Sequence, residues 1–358
     1  EEVYTPSGRK GGRGKENVAT ALVRLALDGG AGLWKSEEGD PYITLSQDGH
    51  FENHHLRSKH VRGWLGRLHF KATGKAIAKG AIDDALTVLE GLALHGGETR
   101  RLYTRIAKNE GRTYIDLCDD DWKAVEIDET GWRVIPSDEV PIKFRRAKGM
   151  LPLPVPVPGG NLEDLRRIIN IDEDQWILTC GWIVQAFSPD GPYPILIVDG
   201  EQGSGKSWCS RILRNLIDPN KSPLRRPPRS EEDLMIAANN SWVVAYDNLS
   251  GLSAQLADAL CSLSTGGGLA KRELYTDRDE ILLDAQRPII LNGIDEISRR
   301  GDVLDRSISI TLRRISDEDR ISEKVIKEKI DRALPGVLGA FLDIVAHGLK
   351  EASSVRLD

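Results

Sequence analysis

The sequence predicts an α/β protein in which a parallel sheet flanked by helices is preceded by a smaller mixed α/β N-terminal domain. From residue 161 onward, short apolar runs alternate with stretches of helical periodicity, which is the pattern of parallel strands joined by crossover helices. Between residues 100 and 145, apolar and polar residues alternate in short runs separated by turn residues, which indicates an antiparallel sheet. The two patterns therefore predict two structural regions in one chain.

Composition and charge limit the class of protein. Hydrophobic residues make up 40% of the chain, charged residues make up 29%, and the formal net charge is −6. These values are ordinary for a soluble globular protein, and the negative charge argues against a protein that coats nucleic acid over its whole surface. The four cysteines lack metal or disulfide spacing, which favours a reducing compartment. No apolar run has the length of a membrane span, so we expect a cytoplasmic protein with no membrane partner.

The N-terminal region is assigned from composition and periodicity. Residues 1–15 are rich in glycine and basic residues, which predicts a flexible lead-in. Residues 16–150 predict an accessory or collar domain that could contact DNA, with amphipathic helices at about 16–28 and 82–92. Residues 151–160 alternate proline with apolar residues. Since proline fixes φ and lacks a donor for a sheet, this segment predicts a stiff linker at a domain boundary.

Histidines are concentrated in one stretch of the N-terminal region. They are His50, His54, His55, His60 and His69. A zinc site would be expected to add cysteine or acidic ligands at fixed intervals, and the spacing does not show them. We therefore expect surface or DNA-facing histidines, with zinc as the less favoured alternative and a winged-helix-like DNA element as a further hypothesis.

We predict that the second domain spans residues 161–316 and that a helical tail spans residues 317–358. Four apolar runs predict buried strands: 194–199, 242–247, 287–292 and 307–312. In the tail, apolar residues recur every four positions, and Pro335 followed by Gly336 is expected to divide it into two helices.

The segment GEQGSGKS follows the first of these apolar runs and fits the pattern G-x-x-x-x-G-K-[ST]. It comprises Gly200, Glu201, Gln202, Gly203, Ser204, Gly205, Lys206 and Ser207. The glycines let backbone N–H groups converge on phosphate oxygens, and the following helix directs its positive N-terminal end at the same place. Lys206 is expected to contact the β- and γ-phosphates and Ser207 to bind Mg²⁺. The segment therefore predicts a binding site for ATP and Mg²⁺.

A second acidic position follows the next predicted strand. An apolar run leads into Asp247, where a carboxylate could reach the water shell of Mg²⁺. Asn248 comes next, and an amide can orient a water molecule but cannot take its proton. The identity of the general base is therefore open. Asp247 could both reach the water shell of Mg²⁺ and take the proton, Glu273 or Glu201 could be the base instead, or turnover could be slow.

In order and spacing, these motifs resemble the superfamily 3 helicases, a branch of the AAA+ ATPases, of the phage, plasmid and poxvirus primase-helicase type. The resemblance spans residues 190–315 and takes in the loop, Asp247 and three later segments. These segments are LSTGGGLAKRELY at 263–275, IILNG at 289–293 and DVLDRSISITL at 302–312. The resemblance implies an AAA+-like P-loop domain and a helicase ATPase.

The same resemblance implies roles for individual residues. Lys271 and Arg272 would contact DNA phosphates from a loop in a central pore. Asn292 would be the polar sensor of the γ-phosphate or the attacking water. Arg306 would be an arginine finger reaching the site of a neighbouring subunit, with Arg299 and Arg300 as rival candidates. A finger supplied by a neighbour implies a ring, expected to be a hexamer.

The function implied is that of an ATP-dependent DNA helicase or translocase in the replication of a phage, plasmid or integrated mobile element. Its partners would be single-stranded or forked DNA, further copies of the chain, and a primase or other replication protein. One alternative is an ATPase that loads or remodels a replication partner. Another, favoured by Asn248, is a nucleotide-switched DNA-binding module with slow hydrolysis. A small-molecule kinase would explain neither the Gly-rich basic segment nor the context of Arg306.

Overall fold

The protein folds into two compact units, the first ending at Arg101 and the second starting at Leu102. The computed structural model describes residues 16–47, 49–249, 251–266, 269–272, 280–283, 286–293, 301–316, 318 and 320–352. The predicted lead-in at 1–15 lies outside these residues, as do Glu273, Arg299 and Arg300.

The first unit contains one mixed four-stranded sheet and three helices among its described residues. Its elements are α1 (Val18–Asp28), β1 (Gly32–Ser36), β2 (Pro41–Gln47), β3 (His50–His55), α2 (Lys59–Thr73), α3 (Lys79–Gly96) and β4 (Glu98–Arg100). The strand order is β3-β2-β1-β4, with β4 parallel to β1 and the other pairs antiparallel. The Asn17 side chain caps α1 by accepting a hydrogen bond from the Ala19 N–H, which fixes where the helix begins. The helices predicted at 16–28 and 82–92 correspond to α1 and α3.

The histidines of this unit are not all on the surface. His69 is only 8% exposed, and its Nδ1 lies 3.0 Å from the Lys75 carbonyl oxygen. The expectation of surface histidines is therefore wrong for His69, because its position on α2 faces the core beside Leu65. An acidic residue that the spacing argument overlooked, Glu52, lies on β3 between His50 and His54.

The second unit is larger and contains both predicted sheets. Its first elements are β5 (Leu102–Tyr103), β6 (Ile106–Asn109), β7 (Arg112–Asp116), β8 (Ala124–Asp128), β9 (Gly131–Ile135), β10 (Lys143–Phe144), α4 (Glu163–Arg166), α5 (Glu173–Ala186), β11 (Ile195–Gly200) and α6 (Lys206–Ile217). Its later elements are α7 (Glu231–Asn239), β12 (Val244–Leu249), α8 (Ala254–Thr265), β13 (Leu269–Arg272), β14 (Glu280–Leu283), β15 (Ile289–Gly293), α9 (Gly301–Leu304), β16 (Ser307–Leu312) and α10 (Glu323–Glu351).

The parallel sheet has the strand order β12-β15-β11-β16, and all its pairs are parallel. Its central strands β11 and β15 are almost entirely buried, as expected for strands covered by helices on both faces. The antiparallel sheet has the order β6-β7-β8-β9, with tight turns between Asn109 and Arg112 and between Asp128 and Gly131. The mixed α/β class with a parallel sheet in the second half of the chain is confirmed.

Residues 102–150 belong to the same compact unit as the parallel sheet. A buried ion pair contributes to this: Arg105 Nε donates to Asp218 Oδ1 at 3.1 Å, and both side chains are fully buried. The other carboxylate oxygen of Asp218 accepts from the N–H groups of Trp242 and Val243, at the start of the chain that enters β12. The assignment of 151–160 as a domain boundary remains a prediction, while the contacts divide the chain earlier.

The Pro-rich segment packs directly on α10. The Val157 N–H donates to the Pro335 carbonyl oxygen at 2.9 Å. A side chain at Gly339 would collide with the Val157 backbone, so glycine is required for this close approach. The segment is therefore fixed along the helix by its backbone.

The tail forms one helix, α10, that continues through Pro335. The prediction of two helices is wrong, because residues on both sides of the proline pack into one core. Ile330, Val337, Phe341 and Leu342 are buried in the cluster that also contains residues of β7 and β8. Tertiary packing on both halves outweighs the local cost of a helical proline. By length and composition α10 could also cross a membrane, but these buried contacts account for its apolar face.

Candidate active site

The Gly-rich loop lies between β11 and α6, at the carboxyl edge of the parallel sheet. Gly203 and Gly205 have φ angles of 85° and 89°, in the left-handed region that favours glycine. These angles turn the backbone sharply into the first turn of α6, where four N–H groups lack helical partners. A loop of this shape at a helix N-terminus is suited to bind an anion such as phosphate.

Two side chains of the loop have unusual polar surroundings. The Ser204 hydroxyl is buried and has no hydrogen-bond partner among the described residues. The Lys206 Nζ donates to the carbonyl oxygens of Gly200 at 2.5 Å and Glu201 at 3.0 Å, so the ammonium group lies against the loop itself. Glu201 and Gln202 are exposed. An unpartnered hydroxyl and an ammonium group at one loop fit a site for phosphate oxygens.

Ser207 and Asp247 meet beside this loop. The Ser207 hydroxyl donates to Asp247 Oδ1 at 2.9 Å. Asp247 lies on β12, and its N–H donates to the Arg225 carbonyl oxygen at 2.8 Å, which fixes the backbone there. Because Mg²⁺ prefers oxygen ligands and is often held by a carboxylate and few other protein groups, the pair fits the predicted Mg²⁺ ligands.

Asn292 lies on the adjacent strand β15 and joins the same group. It is only 2% exposed, its Oδ1 accepts from the Asn248 N–H at 2.9 Å, and its Nδ2 donates to Ser210 Oγ at 3.2 Å. The two hydrogen bonds fix the orientation of the amide. Asn248 is itself exposed and has a φ of 57°, a conformation that asparagine tolerates better than most residues. The strand predicted to end at Asp247 continues to Leu249 with an irregularity after Tyr246.

Arg306 lies at the amino ends of the parallel strands, opposite the carboxyl ends where the Gly-rich loop lies. Its carbonyl oxygen accepts from the Ile195 N–H at 2.8 Å, at the start of β11, whereas the Gly-rich loop follows the end of β11. Strand β11 has six residues, so the amino and carboxyl ends of the parallel strands are about 16 Å apart. The exposed guanidinium donates to the Asp302 carbonyl oxygen at 3.0 Å. Arg306 is therefore not part of the site in its own chain.

Lys271 and Arg272 lie on β13, which pairs with β14 in an antiparallel hairpin. Lys271 is opposite Ile281, and Arg272 is opposite Glu280. The residues that join the two strands lie outside the described part of the chain, so DNA contact by this hairpin remains a prediction.

Three residues near the loop were not identified from the sequence. Ser210 follows Lys206 by one helical turn, so helical periodicity could have identified it. Arg225 contributes a main-chain carbonyl, which carries no sequence signal. A Cβ atom added at Gly203 would lie 3.1 Å from Arg320 Nη2, so this guanidinium borders the loop. Arg320 comes from the chain between β16 and α10, and only the tertiary fold brings it here.

Residues 162–356 match the family model described as actinomycete integrative conjugative element replication protein. No curated protein sequence matches the chain. Two apo structures of the C-terminal region of NrS-1 are 12% identical to it, with TM-scores of 0.46 and 0.47; the matches cover 92% and 95% of this chain and 72% and 76% of those chains. A structure of JCV helicase is 12% identical, with a TM-score of 0.28, covering 55% of this chain and 68% of that chain.

Proposed function

Because the chain belongs to the family of actinomycete integrative conjugative element replication proteins, we propose that it is an ATP-dependent DNA helicase or translocase acting in the replication of such an element. The observation that supports this proposal best is the hydrogen bond between the hydroxyl of Ser207 and the carboxylate of Asp247 beside the Gly-rich loop. On the adjacent strand, the amide of Asn292 is held by hydrogen bonds to the Asn248 N–H and to Ser210.

In the proposed mechanism, the loop N–H groups and Lys206 bind the phosphates of ATP. Ser207 and Asp247 hold Mg²⁺, which would neutralise charge on the phosphate oxygens. Arg320 adds a positive charge at the border of the loop, beside Gly203. The buried Asn292 would contact the γ-phosphate or the attacking water, and its amide loses little freedom on binding because two hydrogen bonds already hold it.

Two further parts of the proposal require partners. Arg306 acts on the site of a neighbouring copy, because the fold separates it from the loop of its own chain. The proposed assembly is a ring, with six subunits as the expected number. Lys271 and Arg272 contact the phosphates of a single-stranded or forked DNA, and the protein works in the cytoplasm with a primase or another replication protein.

The position after Asp247 favours a second candidate. Asn248 is exposed, and its amide cannot take a proton from the attacking water, so the position after Asp247 supplies no general base. Slow hydrolysis would make the protein a nucleotide-switched DNA-binding module, or an ATPase that loads a replication partner.

Steady-state ATP hydrolysis with and without single-stranded DNA tests the proposal. We expect stimulation by DNA in the parent, loss of hydrolysis in Lys206→Ala and in Arg306→Ala, and parent-like rates in the control Arg332→Ala, whose exposed side chain lies on α10. The double variant Lys271→Ala/Arg272→Ala should lose the stimulation but keep basal hydrolysis. Hydrolysis that ignores DNA would favour the loader, and tight ATP binding without turnover would favour the switch.

A further inference from the structure

Strand β3 of the first unit places polar side chains toward the core. His50, Glu52 and His54 alternate along the strand and so share one face. Glu52 pairs with Leu45 and His54 pairs with Ile43, and both of these partners are fully buried. Directly paired residues of an antiparallel sheet lie on the same face. The carboxylate and its two imidazoles therefore occupy the face on which apolar residues form the core.

Three of the five imidazoles in this region, those of His50, His54 and His60, converge on the Glu52 carboxylate. Glu52 Oε2 lies 2.7 Å from His54 Nε2 and 3.1 Å from His60 Nε2, and His60 comes from the first turn of α2. The other carboxylate oxygen, Oε1, lies 2.9 Å from His50 Nε2. The side chain of Glu52 is 11% exposed, so this carboxylate has little contact with water.

The ligand atoms of Glu52, His54 and His60 all lie within 4.8 Å of one another. In a tetrahedral zinc site with bonds of about 2.0–2.2 Å, the ligand atoms are about 3.3 Å apart. Rotation of the His54 and His60 rings out of their stacked arrangement would bring these atoms to coordination distance. His50 would remain hydrogen-bonded to the free carboxylate oxygen, as outer residues commonly are around a ligating carboxylate.

The surroundings of the carboxylate suit a metal ligand. The side chain of Glu52 is 11% exposed, and an anion at this degree of burial requires positive charge or several donors nearby.

We propose that Glu52, His54 and His60 bind one divalent metal ion of the zinc type through a carboxylate oxygen and two Nε2 atoms. Two imidazoles favour zinc and related transition metals over Mg²⁺ and Ca²⁺, which prefer oxygen ligands. The ion would join β3 to the start of α2 and leave a fourth position for water. The rings of His54 and His60 stack at 4.0 Å, and binding would separate them because a metal lies in the plane of each imidazole that it binds.

Titration of the metal-free full chain with Zn²⁺ by calorimetry tests the proposal. We expect one ion per chain and at least tenfold weaker binding in Glu52→Gln and in His60→Ala. The side chain of His60 is 46% exposed, so its loss should leave the fold intact, which circular dichroism can check. The matched control is His55→Ala, which removes a histidine from the other face of the same strand and should bind as the parent does.

Titration with Co²⁺ provides a second readout that identifies the ligands. The absorption of a tetrahedral site without thiolate charge-transfer bands is expected, and it should persist in Asp247→Asn, which alters the proposed Mg²⁺ site. Zn²⁺ should also raise the melting temperature of the parent and not that of His60→Ala. The proposal is overturned if the parent binds no ion saturably, if His60→Ala binds as the parent does, or if thiolate bands show that cysteines hold the metal.

Discussion

The close approach between the Pro-rich segment and α10 leads to a prediction about Gly339. A Cβ atom added at this position would lie 2.8 Å from the Val157 carbonyl carbon and closer still to its oxygen. Both are backbone atoms, so the contact cannot be relieved by turning a side chain. Either the segment or the helix must move, and the hydrogen bond from Val157 to Pro335 is strained or lost.

The expected cost of Gly339→Ala combines opposing effects. Overpacking costs about 1–3 kcal/mol, and a lost hydrogen bond costs about 1 kcal/mol. Replacing glycine by alanine inside a helix returns about 1 kcal/mol. We therefore expect the free energy of unfolding to fall by about 1–3 kcal/mol.

Urea unfolding followed by circular dichroism measures this change, and Gly348→Ala is the matched control. Gly348 lies on the same helix, and a Cβ atom there would have no heavy atom within 4 Å. Its replacement should raise the free energy of unfolding by about 0.5–1 kcal/mol. The two variants thus make the same chemical change with opposite signs. Equal midpoints for Gly339→Ala and Gly348→Ala would refute the proposed close contact.

Two further predictions concern the ion pair and the site. Asp218→Ala should lower the free energy of unfolding by about 3–5 kcal/mol, because it leaves the buried guanidinium of Arg105 without its partner. The control Asp190→Ala removes an exposed partner of Lys108 and should lower it by less than about 1 kcal/mol. Similar unfolding midpoints for the two variants would contradict a stabilising role of the buried ion pair. Mixing equal amounts of Lys206→Ala and Arg306→Ala should restore about a quarter of the parent ATPase rate. Half of the loops and half of the arginine fingers are intact in the mixture, and a working site needs both. No recovery after subunit exchange would argue against a finger supplied by a neighbour.

The parallel sheet and its loop could be predicted from the sequence because their signals are local. The run of apolar residues at 195–198, followed by Asp199 and Gly200, indicates a buried strand and its turn without reference to the rest of the chain. The position of Asn292 next to Asp247 also follows, because the carboxyl ends of adjacent parallel strands meet at one edge. The roles assigned to these residues remain predictions.

Other features depend on tertiary contacts and were missed. Arg320 reaches the loop only because the chain after β16 returns to it. The continuous helix α10 depends on core contacts on both sides of Pro335, which a local rule for proline does not include. The Glu52 cluster was accessible in principle, since alternation along a strand puts His50, Glu52 and His54 on one face. Ligand spacings typical of known zinc sites do not describe this pattern.

The separation of Arg306 from the Gly-rich loop has a consequence for symmetry. If the arginine of one copy reaches the loop of another, the two copies meet through different surfaces, one from each edge of the sheet. Such a heterologous contact does not close with a two-fold axis, so repetition leads to a closed ring or an open helical array. In an open array, the subunit at one end always has a loop without an arginine, whereas a closed ring completes every site.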